Sequence, residues 1–292
     1  MNGIAIRPIL RRAALRCAMP MLRQAARAYV GGESLPQALL LRQRLADKSI
    51  GCTLGYFNAD EEGAATITAE YVRALQALVG SDDYLSVKPP ALGYEHIRLR
   101  RLADAAAEHG LRLHFDAHGP ETAVPTRQAL DRLLALHPPG RLGITLPGRW
   151  RRSLADAAWA IERGLPVRVV KGQWPDNSPE RHSAEQGFLA VIDALAGRAA
   201  HVAVATHNVA LAEIALERLQ VAGTPCSLEL LYGLPLHASH ALAQRLDVPV
   251  RVYLAYGTAH LPYALGKALS QPHVIAWVLR DFVASWRHGG RI

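Results

Sequence analysis

Short apolar segments alternate with amphipathic helical segments eight times, starting near residue 51 of this 292-residue chain. Each apolar segment has four to six residues and is rich in the β-branched side chains that are typical of buried strands. These segments cover residues 52–57, 84–88, 111–116, 142–146, 167–171, 201–206, 226–231 and 250–253. Strands that alternate with helices form parallel sheets, so eight such units predict an α/β fold, a closed (β/α)₈ barrel of the TIM type.

The predicted helices follow the strands, at residues 63–79, 96–108, 121–136, 154–163, 184–196, 209–219, 236–246 and about 262–286. A doubly wound open sheet is the alternative fold. That fold usually has a Gly-rich phosphate-binding turn after its first strand. Here this turn reads FNADEE over residues 57–62, so we predict that residues 49–292 form one barrel domain.

The first 48 residues precede the barrel and contain a stretch of basic residues. Residues 6–30 include six arginines and no acidic residue, a composition found in transit peptides and in membrane-surface helices. Pro8 and Pro20 interrupt the stretch, which continues into helical patterns over 21–30 and 35–45. We therefore predict that residues 1–48 form a helical lead-in that packs against the barrel. We expect a cytoplasmic protein, and peripheral contact with the inner membrane is the alternative.

The net charge of +8 bears on the kind of partner that the protein binds. Its arginines are spread over many segments, with no basic block interleaved with aromatic residues, so no nucleic-acid partner is expected. We interpret the excess as affinity for an anionic cofactor. The three cysteines are far apart in sequence and indicate neither a disulfide framework nor a metal cluster.

Polar residues stand near the C-terminal end of nearly every predicted strand, where (β/α)₈ barrels place their chemistry. They are Lys88, Asp116, Arg168, Lys171, Thr206, His207, Asn208, Glu229, Tyr232, Arg251, Tyr253 and Tyr256. His207 has no His or acidic partner two or four positions further on, and no G-x-S-x-G motif is present. Two chemistries stay open: a Schiff base on Lys88 or Lys171, or a large anionic cofactor held by cations.

Five sequence motifs coincide with the predicted strands and the residues that follow them. The chain reads SVK at 86–88, VRVVKGQWPD at 167–176, ATHN at 205–208, ELLYGL at 229–234 and RVYLAYG at 251–257. In this order, and each at its expected strand, they resemble the proline dehydrogenase family of flavoenzymes, whose motifs include VRxVKGAYWD, ATHN, QMLYGM and RVYVPYG. The resemblance covers almost the whole chain.

The resemblance implies a distorted (β/α)₈ barrel that binds FAD and transfers a hydride to it from a proline-like cyclic amine, as part of proline metabolism. The implied catalytic residues are Lys88, Asp116, Arg168, which would lie near flavin N5, and Tyr253. The implied cofactor-binding residues are Ala117, Thr145, Arg168, Val170, Lys171, Gly172, Gln173, Trp174, Thr206, His207, Asn208 and Glu229. The implied substrate-binding residues are Lys88, Asp116, Leu231, Tyr253, Tyr263 and Lys267.

This chain also departs from the family pattern. Gly266 and Lys267 replace two adjacent arginines that pair with the proline carboxylate in the family, and one ammonium cannot reproduce that bidentate clamp. Pro147 and Glu229 each replace a glutamine. Glu229 suits a flavin site if it is protonated or paired with a cation.

Three hypotheses follow. The first is an FAD-dependent oxidoreductase whose small-molecule amine substrate lacks a free carboxylate because it is modified or tethered to a carrier. The second is an ordinary L-proline dehydrogenase. The third is a flavin-free barrel that acts as a binding protein or a lysine-dependent lyase. Quinone and oxygen are both candidate electron acceptors.

Overall fold

The computed structural model describes residues 32–176 and 183–258, which form a closed eight-stranded barrel. The parallel strands pair in chain order, and β8 pairs with β1 to close the sheet. They are β1 (Gly51–Tyr56), β2 (Tyr84–Val87), β3 (Leu113–Phe115), β4 (Leu142–Pro147), β5 (Val167–Val170), β6 (Val202–Ala205), β7 (Cys226–Leu231) and β8 (Val250–Tyr256). The predicted (β/α)₈ barrel is therefore confirmed.

Helices cover the outside of the barrel. They are α1 (Leu35–Ala46), α2 (Ala64–Ala77), α3 (His96–Glu108), α4 (Ala123–Leu134), α5 (Ser153–Glu162), α6 (Ala184–Leu195), α7 (Val209–Val221) and α8 (His237–Arg245), with 3₁₀ turns at Pro89–Leu92, Pro120–Thr122 and Pro139–Arg141. The predicted helical stretches over 21–30 and 262–286 lie outside the described residues. None of the described helices combines the length and apolar character that a membrane crossing requires.

Helix α1 belongs to the predicted lead-in segment. It buries Ala38 and Leu45 and lies against β1 and β8, the two strands at which the barrel closes. The helix begins with Pro36 in its first turn, a position where the missing N–H of proline costs no hydrogen bond. Only this part of the predicted lead-in lies within the described residues, and the lead-in over residues 1–48 with its boundary stays a prediction.

Alternation along the strands sorts residues between the helical layer and the barrel interior. In β5, Val167 and Val169 are buried in the hydrophobic core, and Arg168 between them points into the barrel. Arg168 lies opposite Thr145 in β4 and Ala203 in β6. A cation thus points into the barrel because it has the inward parity of its strand.

Glycines allow close approach at two positions that shape the upper barrel. A Cβ atom at Gly55 would collide with the phenol of Tyr253 on the neighbouring strand. A Cβ atom at Gly148, just after β4, would collide with the backbone of Phe188 in α6. Backbone atoms cannot move aside as a flexible side chain can, so the second contact is the more demanding one.

We expect Gly148→Ala to lower the free energy of unfolding by roughly 1–3 kcal/mol, as overpacking of a dense core usually does. Urea-induced unfolding followed by circular dichroism measures the change. Gly140→Ala is the matched control, because a Cβ atom there has no neighbour within 4 Å. Equal stability of the two variants would contradict the close packing of α6 against β4.

Candidate active site

The interior of the barrel is organised around the guanidinium group of Arg168. Its side chain is only 4% exposed. Nε and Nη2 donate to the two carboxylate oxygens of Glu229, both at 2.8 Å. Nη1 donates to Asp116 Oδ1 at 2.8 Å and also contacts the hydroxyls of Ser86 and Thr145, at 3.1 and 3.4 Å. All three guanidinium nitrogens therefore have protein acceptors.

Glu229 is the stronger partner of this cation. Its carboxylate receives the bidentate pair from Arg168 and a further hydrogen bond from the Tyr84 hydroxyl at 2.9 Å. Burial raises the pKa of Glu229, but the charge and hydrogen bonds of Arg168 outweigh it, and the pKa falls below its ordinary value. Of the two states that suit a flavin site, Glu229 adopts the ionised and paired one.

Asp116 connects this ion-pair network to the upper part of the barrel. Oδ1 accepts from Ser86 at 2.6 Å and from Arg168, while Oδ2 accepts from the Tyr253 hydroxyl at 2.8 Å. Burial raises the pKa of Asp116, but Arg168 and Lys88 lower it further, so it ends below its ordinary value. Burial and the neighbouring carboxylate raise the pKa of Tyr253, so this phenol stays a proton donor to Asp116.

Lys88 follows β2 and is the second cation near Asp116. Its side chain is buried, Nζ donates to the Tyr56 carbonyl at 2.6 Å, and the ammonium lies 3.8 Å from the centroid of the Phe57 ring. Burial lowers the pKa of Lys88 to about 8, and the attraction of Asp116 only partly offsets this. Lys88 is therefore half neutral near pH 8, well below the pH at which an ordinary lysine loses its proton, and a base requires this neutral form.

Two predicted strand-end residues do not belong to this group. Arg251 is at the N-terminal end of β8, where its guanidinium donates to the Asp82 carbonyl at 3.0 Å and lies 4.6 Å from the Tyr84 ring centroid. Its placement at the C-terminal face was wrong, since it is only the second residue of a seven-residue strand. Tyr256 is fully buried, with its ring 5.3 Å from that of Tyr56, and belongs to the hydrophobic core.

The C-terminal ends of β4 and β5 form a second group at the rim. Gly172 has φ +89°, and a Cβ atom there would lie 2.8 Å from Pro147 Cβ and 3.3 Å from Arg149 Cβ. Lys171 is 40% exposed and lies 3.5 Å from Glu185. The Trp150 indole donates to the Trp174 carbonyl at 2.9 Å and so connects the two loops. A partly exposed cation beside a glycine in a left-handed turn is a feature that accommodates an anion.

The polar side chains of the ATHN motif form hydrogen bonds with other groups of the protein. His207 accepts from the Leu231 N–H through Nε2 at 2.8 Å, and its Nδ1 lies 3.2 Å from the Pro235 carbonyl. Asn208 caps α7 by accepting from the Leu211 N–H at 3.2 Å. Thr206 accepts from the Asn208 N–H, also at 3.2 Å. These side chains connect the ends of β6 and β7, and their cofactor-binding role stays a prediction.

The other predicted site residues divide between the barrel and the undescribed region. Thr145 is buried between Arg168 and His114, and Ala117, Val170 and Leu231 are half-buried. Gln173 and Trp174 are at the rim, and both are exposed. Tyr263 and Lys267, together with the Gly266 position of the lost arginine pair, lie outside the described residues.

The structure adds residues that the sequence interpretation did not assign. Tyr84 and Ser86 share the inward parity of Lys88 in β2, so alternation along that strand could have identified them. His118 follows Asp116 at the rim, and burial lowers the pKa of its imidazole. Arg149 had no sequence signal, since its place at the rim depends on how the β4 loop meets the β5 loop.

The comparison with known proteins indicates the same family as the sequence motifs. A family model described as proline dehydrogenase matches residues 42–263, about three-quarters of the chain. This chain belongs to the proline dehydrogenase family. Membership makes it an oxidoreductase of the proline dehydrogenase type, and the family-level identification from the sequence is confirmed.

Individual relatives are distant. Proline dehydrogenase 1 of Bacillus subtilis (strain 168) is 22% identical over 283 residues, which cover 89% of this chain and 91% of that protein. Among solved structures, proline utilization A (PutA) from Bdellovibrio bacteriovorus, inactivated by N-propargylglycine, has a TM-score of 0.73 at 18% identity, covering 84% of this chain. PutA from Corynebacterium freiburgense has a TM-score of 0.72 at 16% identity and covers 96%.

This chain matches only part of each PutA chain, which limits the conclusions that these structures allow. This chain spans about a third of each, 32% of the Bdellovibrio chain and 34% of the Corynebacterium chain. At such low identity these two structures support the fold of this chain and nothing more specific.

We expect Arg168→Met to lower the free energy of unfolding by roughly 3–5 kcal/mol near pH 7, because two buried carboxylates lose their cation. In the wild type both pKa values are lowered, so both carboxylates stabilise the fold above pH ~4 and lose this effect as the pH falls. Without Arg168, burial raises both pKa values above those of the unfolded chain. The variant should therefore regain stability between about pH 7 and pH 5.

Urea unfolding at about pH 7 and pH 5 tests whether the stability of the variant rises as the pH falls. Arg218→Met is the matched control, because it removes an exposed pair with Asp193 at 2.8 Å and should cost no more than about 1 kcal/mol. A loss for Arg168→Met that matches the control at both pH values would contradict the network.

Proposed function

We propose that this protein is an FAD-dependent oxidoreductase that oxidises the C–N bond of a proline-like cyclic amine to an imine. The observation that carries the proposal is the arrangement of Lys88, Asp116 and Tyr253 in the upper barrel. A lysine with a pKa of about 8 lies near an ionised carboxylate that holds a phenol by a 2.8 Å hydrogen bond. Such a set can bind an amine and accept its proton.

The residues at the rim fit FAD as the family cofactor. Gly172 takes a positive φ and packs closely against Pro147 and Arg149, and the 40% exposed side chain of Lys171 supplies a positive charge beside it. Lys171, Gly172 and their neighbours Val170 and Gln173 would hold the cofactor. Pairing with Arg168 neutralises Glu229, which removes the objection that its charge opposes an anionic reduced flavin. When bound, FAD supplies the acceptor for the hydride.

The chain's own residues carry the proton chemistry. An amine can lose a hydride from the adjacent carbon only when its nitrogen lone pair is free, so a protonated amine must first lose a proton. Neutral Lys88 is suited to take it. Asp116 and Tyr253 orient the amine, and Arg168 holds Asp116 in place from below through a 2.8 Å hydrogen bond.

The substrate we infer lacks a free carboxylate. The two adjacent arginines that bind the proline carboxylate in the family are replaced by Gly266 and Lys267 in this sequence. In the described part of the barrel, Arg168 directs its N–H groups at protein acceptors, and burial weakens the positive charge of Lys88. A modified or carrier-tethered cyclic amine does not need the missing guanidinium pair.

Ordinary L-proline oxidation is the second candidate. It is favoured by the likeness to Proline dehydrogenase 1 of Bacillus subtilis, which extends over 91% of that protein. In this case Lys88 and Lys267 would have to bind the carboxylate without an arginine.

The first test is the visible spectrum of the purified protein, with released flavin identified by chromatography, followed by an amine panel. We expect flavin absorption and released FAD. We also expect L-prolinamide or L-proline methyl ester to exceed free L-proline in kcat/KM by about tenfold or more, since a carboxylate without its clamp binds weakly. A preference for free L-proline would identify an ordinary proline dehydrogenase. A protein that stays colourless with excess FAD would overturn the flavin proposal and favour a flavin-free barrel.

The second test concerns Lys88. With the preferred amine, kcat/KM should rise with pH through an apparent pKa of about 8, because the neutral lysine is the active form. Lys88→Met should lose this rise and lower kcat/KM by roughly 10²–10⁴-fold. Lys48→Met, at an exposed lysine, is the matched control. An unchanged pH profile in Lys88→Met would exclude Lys88 as the base.

A further inference from the structure

We propose that Arg149 binds a phosphate group of the cofactor and so contributes to FAD affinity. The inference rests on the proposed function, since it assumes an FAD-binding protein. Arg149 belongs to none of the sequence motifs. Its assignment comes from its position at the rim and from the state of its guanidinium group.

Arg149 stands beside the residues that fit the cofactor. It follows β4, and its backbone N–H donates to the Lys171 carbonyl at 3.0 Å. Its Cβ atom would lie 3.3 Å from a Cβ atom built at Gly172. Arg149, Lys171 and Gly172 therefore form one patch, whereas Lys88 and Asp116 follow β2 and β3 on another arc of the rim.

The guanidinium group of Arg149 has an unsatisfied donor. Its Nε atom is buried and has no hydrogen-bond partner among residues 32–176 and 183–258. Arg152, on the same loop, instead pairs with Asp156 at 2.7 Å. Arg168, on the adjacent strand, has its donors satisfied by carboxylates and hydroxyls. A buried N–H without an acceptor is costly, so an acceptor is expected to reach this one.

The chemistry of the patch favours phosphate as that acceptor. A guanidinium group matches phosphate oxygens through paired N–H donors, and Lys171 adds a second positive charge. Lys171 is 40% exposed and only loosely paired with Glu185 at 3.5 Å, so it can face the same anion. Two cations beside a glycine suit the diphosphate of a dinucleotide better than the uncharged ring of a flavin.

The experiment compares Arg149→Gln with the wild-type full chain in binding FAD, FMN and riboflavin, after flavin removal, by fluorescence quenching. Loss of a charge-assisted contact should weaken FAD and FMN about tenfold to a hundredfold. Riboflavin has no phosphate, so its affinity should not change. Arg149→Lys should recover part of the lost FAD affinity because it keeps the charge but not the bidentate geometry.

Arg151→Gln is the matched control, because it removes the same charge from an exposed residue of the same loop. Circular dichroism shows whether each variant is folded, and if Arg149→Gln is not, Arg149→Lys against wild type gives the same comparison. Wild-type protein that binds no FAD would overturn the proposed function itself. Wild-type binding with an unchanged Arg149→Gln affinity would overturn only this inference. Equal weakening of all three flavins would also overturn it, since that result indicates a structural role.

Discussion

The buried guanidinium group of Arg168 is the interaction on which the interior of this barrel depends. A cation removed from water is stable only when carboxylates and hydroxyls replace its hydration. Here Glu229 and Asp116 provide the two negative charges, and hydroxyls from β2 and β4 complete the shell. The network extends across the barrel from β7 to β3, so it fixes the relative positions of strands that are not neighbours.

The same network positions the groups that we propose to bind a substrate. Asp116 is ionised because Arg168 and Lys88 lower its pKa against the effect of burial, and it holds the Tyr253 hydroxyl in a fixed direction. Gly55 leaves the space that the Tyr253 ring occupies. Arg168 and the space at Gly55 therefore fix the positions of the proposed amine-binding groups, Asp116 and Tyr253, before any ligand binds. Preorganisation of this kind favours reaction over mere binding.

The departures from the family pattern have a physical explanation in the described barrel. A glutamine at position 229 would offer Arg168 one oxygen, whereas Glu229 offers two and receives the bidentate pair at 2.8 Å. Pro147 gives no side-chain hydrogen bond, yet it packs against Gly172 at the rim. Both substitutions are consistent with a working site rather than with decay. The replacement at Gly266 and Lys267 is different, since it removes the arginine pair of the family, and our proposal of a substrate without a free carboxylate rests on it.

The sequence by itself determined the architecture. Periodic apolar segments placed all eight strands, because the alternation of apolar strands and amphipathic helices is a local pattern. The motifs also identified the family. Tertiary structure decided how the polar residues are used. Only the closed barrel shows that Arg168 forms ion pairs with Glu229 and Asp116. It also shows that Arg251 lies at the N-terminal end of its strand and that Arg149 lies beside Gly172. These facts depend on register and loop packing between distant segments, which no local pattern encodes.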